Sequence, residues 1–302
     1  MQVTLNPYEN VNWNSWGQYK ANFHTHTTQS YGDNSPAEVI DDYFSADYKI
    51  LSITDHNTVT WPWTRYNRDP NRLGMLAVRG DEFSRSHHVN GFFDFTVNRA
   101  DHADGIKNVQ QQGGLCHFNH PLRYNSAQDW DWYVPWYEQY PACVGIEAIN
   151  RRVQAHALWD NINENFYAQR NKLVWGYAND DMHDRSELFR SFQFMLMPSL
   201  SENALRASKK SGAFYFCHEP GGSGEARVPR IARIAVDNQT QTITITPQSQ
   251  NLKSIEWVGP GTKTVCNGAT FNFSNYPKGS FVRAELHGNS GSCYTQPFGI
   301  GD

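Results

Sequence analysis

Phe23-His24-Thr25-His26-Thr27 sets two histidines one residue apart, after an apolar position and before a polar run. Alternate side chains of a strand share a face, so His24 and His26 can present both imidazoles to one ion or to two adjacent ions at a strand end. Outward from this stretch, Asp55-His56, Glu82, His88, His120 and Asp181-Met182-His183 each fall beside an apolar run, where strands would deliver ligands to a common end. Six histidines and two or three carboxylates facing an apolar core would carry a desolvation cost of several kcal/mol for each unpaired group. Divalent ions remove that penalty. Mixed His and carboxylate ligation suits Zn, Mn or Fe, and Glu82 is a natural bridge between two of them.

The connecting segments predict how those ends come together. Ser35-Pro36-Ala37-Glu38 reads as a capped helix start, with the helix running to about Ala46 and Val39, Ile40, Tyr43 and Phe44 on its buried side. Lys49 to Thr54 is then a strand that delivers Asp55-His56. Further strands are expected at Met75 to Val78, Val89 to Val97, Leu115 to Phe118, Val144 to Ile149, Leu173 to Ala178, Phe192 to Met197 and Ala213 to Cys217. Helices are expected at Ile106 to Gln112, Gln154 to Arg170 and Glu202 to Ser211. Alternation on this scale implies an α/β fold with a mainly parallel sheet closed into a barrel, its chemistry at the C-terminal strand ends. After a loop at Gly221-Gly222-Ser223-Gly224 the texture changes to short β segments separated by Asn, Gly and Pro. The expected division is a barrel over 1–225 and a small all-β subdomain over 226–302. Only His287 of the twelve histidines lies beyond residue 230, so the chemistry belongs to the first part.

Composition bounds the alternatives. The 302 residues, 39% hydrophobic and 14% aromatic, suffice for a substantial core. A net charge of -4 with mixed signs gives no basic stripe, so no stable nucleic-acid partner is expected. No apolar stretch approaches the roughly 20 residues of a membrane span. Cys116, Cys143 and Cys217 sit singly in apolar runs and read as buried thiols, whereas Cys266 and Cys293 lie in a polar C-terminal region and read as a disulfide pair. That pairing places a secreted or periplasmic mature chain slightly ahead of a cytoplasmic one. His87, His102, His117, His156 and His218 read as supporting or surface residues. Trp61, Trp63, Trp130, Trp132 and Trp136 read as core or cleft wall.

The order of motifs resembles the PHP (polymerase and histidinol phosphatase) family of metallohydrolases. The matching pieces are His24-Thr25-His26, Thr54-Asp55-His56-Asn57, Gly80-Asp81-Glu82, His88 with Gly91, Gly113-Gly114 with His120-Pro121, Ile146-Glu147 with Asn150, and Asp181-Met182-His183, over about residues 20–217. The C-terminal stretch, ending in Tyr294-Thr295-Gln296-Pro297-Phe298, resembles the tail of the carbaryl-hydrolase-like branch. The resemblance implies a distorted (β/α)7 barrel, two or three divalent metals and hydrolysis of phosphate esters. It assigns His24, His26, Glu82 and Asp181 to a first metal, Glu82, His88 and His120 to a second, and His56 with His183 to a third. The family's Ser-Asp-Gly triplet reads Ser30-Tyr31-Gly32 here, so the third site lacks its carboxylate unless Asp33 reaches in.

A hydroxide bridging two ions is then the expected nucleophile. Asp181, His183 and His56 are the catalytic candidates, with His183 or His56, where a third ion does not fully engage it, protonating the leaving group. Arg151, Arg123 and Arg85 are candidates for holding the substrate's non-bridging oxygens. The leading expectation is a phosphoesterase acting on a small-molecule ester. The alternatives are a carboxylic-ester, carbamate or amide hydrolase, and a metal-containing binding module without turnover.

Overall fold

Ser35 and Glu38 cap a helix where the sequence places one. In the computed structural model, which describes residues 1–93, 95, 100–222, 227–248 and 251–302, the Ser35 hydroxyl accepts from Glu38 N and the Glu38 carboxylate accepts from Ser35 N at 2.8 Å. This reciprocal cap fixes the start of α1 (Pro36–Ser45) and turns Val39, Ile40 and Tyr43 inward.

Around it, the first part of the chain alternates strands and helices. The elements are β1 (Gln2–Leu5), β2 (Gly17–Asn22), β3 (Ile50–Ile53), α2 (Pro70–Leu73), β4 (Leu76–Phe83), β5 (Val89–Phe92), α3 (His102–Gln111), β6 (Leu115–Phe118), α4 (Val134–Gln139), β7 (Cys143–Asn150), β8 (Val153–Gln154), α5 (His156–Arg170), β9 (Trp175–Asn179), β10 (Ser191–Met197), α6 (Glu202–Ser211) and β11 (Phe214–His218). Helix α6 has the bounds read from the sequence. Strand β4 runs further than expected, through Gly80-Asp81-Glu82, because β5 folds back on it with Glu82 opposite Asn90. Helix α3 starts four residues early because the Asp101 carboxylate caps it, accepting from Asp104 N. Of the extended run expected at Val89 to Val97, residues 94 and 96–97 lie outside the described residues. So do 223–224 of the expected loop and 225–226 at the expected domain boundary.

The sheet is mixed. Parallel ladders join β2 to β3 to β4 and β6 to β7 to β9, while β5 and β10 enter antiparallel to both their neighbours. The β4–β5 link is too short for the crossover that a parallel return needs. Strand β9 pairs with β7 on one side and lies alongside β10 and β11 on the other. Buried glutamines join them: Gln193 Oε1 accepts from Ala178 N at 2.6 Å, and the Gln296 amide accepts from Gly176 N and donates to Gly176 O, each at 2.8 Å. Side-chain amides here occupy the place of a strand ladder.

Beyond residue 227 the chain is β-rich, as expected. It forms β12 (Ile231–Asp237), β13 (Thr242–Pro247), β14 (Ser254–Gly259), β15 (Lys263–Asn267), β16 (Thr270–Asn272), β17 (Ser280–His287), β18 (Ser292–Tyr294) and β19 (Phe298–Gly301). Strands β12, β13 and β16 make a separate small sheet, whereas β18 pairs with β11 and carries β17, β14 and β19 into the large one. A fully buried Arg283 on β17 grips Asp160 on α5 with two hydrogen bonds, at 2.7 and 2.8 Å. Removing either partner strands a buried charge at a cost of about 3–5 kcal/mol.

The disulfide differs from the expected one. Cys293 bonds Cys217, not Cys266, because β11 and β18 set Cys217 and Cys293 opposite each other in register. Cys266, on β15 opposite Trp257, is a free and half-buried thiol, as Cys116 and Cys143 are free and buried. No helix among the described residues is long and apolar enough to cross a membrane.

Candidate metal centre

The ends of several strands meet through their own backbones. His26 N donates to Met182 O at 2.8 Å and Asp181 N to His24 O at 2.9 Å, so the first and last motifs lie side by side. Thr54 N donates to Thr25 O, and Asn57 N to Glu82 O, each at 2.9 Å, which adds the ends of β3 and β4. Four residues there adopt positive φ without being glycine: Asn57 (51°), His120 (27°), Arg151 (53°) and Asp181 (46°). Such backbone is uncommon for side-chain-bearing residues and concentrates at sites where geometry is imposed.

Glu82 is the hub. Its Oε1 lies 3.2 Å from His24 Nε2, 3.0 Å from His88 Nδ1 and 3.1 Å from His120 Nε2; its Oε2 lies 2.8 Å from His56 Nδ1 and 3.5 Å from His26 Nε2. Asn119 Nδ2 also donates to Oε1 at 2.8 Å. A carboxylate offers about four lone-pair sites, too few for five imidazoles and an amide. Asp181 Oδ1 stands 3.2 Å from His24 Nε2 and 3.1 Å from His26 Nε2, and 3.6 Å from His183 Nδ1. The His26 ring centroid is 4.4 Å from that of His56 and 4.2 Å from that of His183. All eight residues expected as ligands therefore come together, in the overlapping sets His24, His26, Glu82; His24, His120, Asp181; His56, Glu82, His88; and His26, His56, His183. Buried His24 Nε2, His26 Nδ1, His56 Nδ1, Glu82 Oε2 and His120 Nδ1 are left without a hydrogen bond. Orphaned polar atoms in a mixed His and carboxylate shell are what divalent ions satisfy, so these residues fit such a group.

The charges sort accordingly. Burial alone would lower the His24 pKa, but Asp181, Glu147 and Glu82 outweigh it and hold His24 well above the ordinary imidazole value. Burial would likewise raise the Glu82 carboxylate, and His24, His120 and His56 overcome it and hold it well below the usual range. For His26 burial prevails over Asp181 and Glu82, and the pKa falls to about 4. Neutral imidazole is the form that binds a cation, so His26 is ready as it stands, whereas His24 gives up a proton when an ion replaces it beside the carboxylates.

A second layer holds the first. Glu147 Oε1 accepts from His24 Nδ1 at 2.8 Å and from Asn179 Nδ2 at 2.9 Å, while Oε2 accepts from His120 N at 2.7 Å and Asn150 Nδ2 at 2.8 Å. The sequence marked Glu147 as part of a motif without giving it this role, and it passed over Asn119 and Asn179. The available signal was their placement at strand ends, one and two residues before His120 and Asp181. Asp55 faces away from the cluster, accepting from Thr27 N and Oγ1, Ser30 Oγ and Thr60 Oγ1. Asp33 is exposed and belongs to none of the ligand sets; its backbone N donates to His183 O.

The cluster opens into a cleft of about 760 Å³ lined by Gln29, Tyr31, Asn57, Thr58, Ser84, Arg85, Arg123 and the edges of His56, His88 and His183. Tyr31, 76% exposed, stands at its mouth with its ring 5.4 Å from that of His56. Two of the three candidate arginines therefore face the cleft. Arg151 is engaged elsewhere: Nη1 pairs with Glu187 at 2.7 Å, Nε donates to Asp181 O at 3.1 Å, and Nη2 lies 2.7 Å from His183 Nδ1. His87 stacks on Trp132 and meets Tyr133 Oη at 2.8 Å, outside the ligand sets. Trp63 is buried in the core with Trp61 packed against the same cluster, and neither lines the cleft.

Among solved structures, the chain resembles a two-domain protein from Bacteroides vulgatus that contains a predicted PHP-like metal-dependent phosphoesterase. The TM-score is 0.58 at 17% identity, over 98% of each chain, so the two share a fold along their whole length. An amidohydrolase from Chromobacterium violaceum, with bound sulfate and no metal, gives 0.43 at 14% identity over 55% of this chain and 88% of its own. A candidate metal-dependent phosphoesterase from Bifidobacterium adolescentis gives 0.40 at 15% identity over the same shares. No protein-family model matches the sequence, and no curated protein matches it.

Proposed function

We propose that this protein is a metal-dependent hydrolase that cleaves a small phosphate ester. The observation that carries the reading is the crowding of five imidazoles around the Glu82 carboxylate, beside a polar cleft that Arg85 and Arg123 enter. His24, His26, Glu82 and Asp181 would hold one ion, Glu82, His88 and His120 a second, and His56 with His183 a third. Two or three ions of Zn, Mn or Fe fit that donor set. When bound, such ions supply Lewis acidity and an ionised water at neutral pH.

The chain's own groups do the rest. Arg85 and Arg123 bind and orient the anionic oxygens of the substrate by charge-assisted hydrogen bonds. Where no third ion engages it, His183, at the cleft edge and backed by Arg151, or His56 gives a proton to the departing oxygen. Arg151 acts as a positioning residue, since its guanidinium is spent on Asp181, Glu187 and His183. Glu147 fixes the His24 ring through Nδ1 and leaves Nε2 for an ion. The reading includes a distorted (β/α)7 barrel over 1–225 with the remainder as its β-rich C-terminal subdomain. It takes a small molecule rather than nucleic acid as the substrate.

Tyr31 favours a second reading. A neutral phenol where the family carries a carboxylate weakens the third site, and a carboxylic ester, carbamate or amide makes less demand on it. Hydrolysis of p-nitrophenyl phosphate, bis-p-nitrophenyl phosphate and p-nitrophenyl acetate by metal-loaded protein separates the two. Turnover of either phosphate ester supports the first reading, and turnover of the acetate alone transfers the assignment to the second. Bound metal without turnover of any ester leaves a binding module.

A further inference from the structure

A second, smaller cavity of about 220 Å³ lies beside the same cluster, lined by His120, Pro121, Leu122, Arg123, Glu147, Asn150, Val153 and Ala155. Two of its polar residues, Glu147 and Asn150, turn their hydrogen bonds on each other and on the cluster. Glu147 spends both oxygens on His24, Asn179, His120 N and Asn150, and Asn150 Nδ2 is divided between Glu147 and Asp181. Apart from the His120 ring and Arg123, what remains to face a ligand is the apolar surface of Pro121, Leu122, Val153 and Ala155. Leu122 and Val153 are 39% and 56% exposed, and they are among only six large apolar side chains that stay exposed in the described residues. A single exposed leucine or valine needs no explanation, but two converging on one cavity next to a reactive centre do.

The cavity is smaller than the roughly 300–1,000 Å³ that a whole ligand occupies, so it suits a substituent. Arg123 lines both this cavity and the polar cleft. An anionic group on the cleft side of Arg123 and an apolar group on the other side would therefore belong to one molecule.

We infer that the cavity between Leu122 and Val153 is a subsite for a compact apolar group, of the size of a phenyl ring or a short branched alkyl chain, carried by the ester substrate. The inference rests on the hydrolase reading for the position of the reacting group. It goes beyond that reading in naming the class of substrate: a small anionic ester with one apolar arm.

Titration calorimetry of the metal-loaded full chain with methylphosphonate and phenylphosphonate, which cannot be hydrolysed, tests it. The expected result is phenylphosphonate binding at least about tenfold tighter, the effect of withdrawing one ring from water. In a Leu122→Ser/Val153→Ser variant, shown to be folded by circular dichroism, that ratio should fall towards one. Acetate and phenylacetate run in parallel separate the two levels of the account. If neither phosphonate binds, but phenylacetate outbinds acetate and loses that preference in the variant, the phosphate reading fails and the subsite stands. An apolar preference in neither series, or one that survives the variant intact, overturns the subsite.

Discussion

The two ends of the interior both bury charge, in different company. At the end reached by β2, β3 and β4, the Glu82 and Asp181 carboxylates lie among six imidazoles, and a large cleft opens onto them. At the other end stands Lys209. Strand β10 runs antiparallel to β2, so Met197 faces Gly17 and helix α6 begins at the end remote from His24. From that helix the Lys209 ammonium, fully buried and without a hydrogen bond, lies 3.7 Å from the Phe23 ring centre and 4.3 Å from those of Phe92 and Tyr177. Phe23 and His24 are neighbours in sequence, yet one packs on the lysine and the other belongs to the ligand cluster. Opposite charges that crowd one another beside an opening make a centre that can take up ions and ligands. A lone cation enclosed by ring faces is held by cation–π attraction and has nothing to exchange.

Substitutions should separate the two ends. The largest effect is expected from Glu82→Gln, which keeps the shape but removes the shared charge: most of the metal should be lost and ester turnover should fall by roughly a thousandfold or more. A fully active Glu82→Gln protein would mean that the crowded end is structural, like the other. Next is Glu147→Gln, which frees the His24 and His120 supports. Metal affinity measured against a competing chelator should fall by about 10–100-fold.

The arginines should then divide. Arg123→Ala is expected to raise KM about tenfold, through lost contact with the anion. Arg151→Ala should lower kcat with a smaller change in KM, because it holds Asp181 and His183 rather than the substrate. Equal KM effects would place Arg151 in the cleft after all.

The smallest effect belongs to the lysine end. Burial drives the Lys209 pKa well below its ordinary value. Between the folded and unfolded values the unfolded chain holds the extra proton, so stability rises with pH across that interval. The penalty is fully present below the folded value and vanishes above the unfolded one, near pH 10.4 or so. Lys209→Met should therefore stabilise the fold by about 1–2 kcal/mol near neutrality, a gain that urea melts should show shrinking as pH approaches about 10. A destabilised variant would mean that the aromatic cage contributes more than burial removes.

What the sequence revealed of this arrangement was what is encoded locally. The capping box at Ser35 and Glu38, the turn-bounded helix α6 and the position of each ligand residue after an apolar run depend on a few adjacent residues. What escaped depends on register between distant strands. Cys217 meets Cys293 only because β18 pairs with β11, and composition alone suggested Cys266. Gln296 bonds Gly176 across 120 residues, and the tail motif that contains it gives no hint of that partner. Arg151 looked like Arg85 and Arg123 in sequence, and only the positions of Glu187 and His183 divert it from the cleft.

The central claim is that the Glu82 cluster is a metal centre. Its most direct test is elemental analysis of the purified chain after equilibration with Zn, Mn and Fe salts and removal of free ions, with Glu82→Gln beside it. The account predicts two or three ions per wild-type chain and at most one in the variant. A folded wild-type chain that retains none, or a variant that retains as many as the wild type, would contradict it.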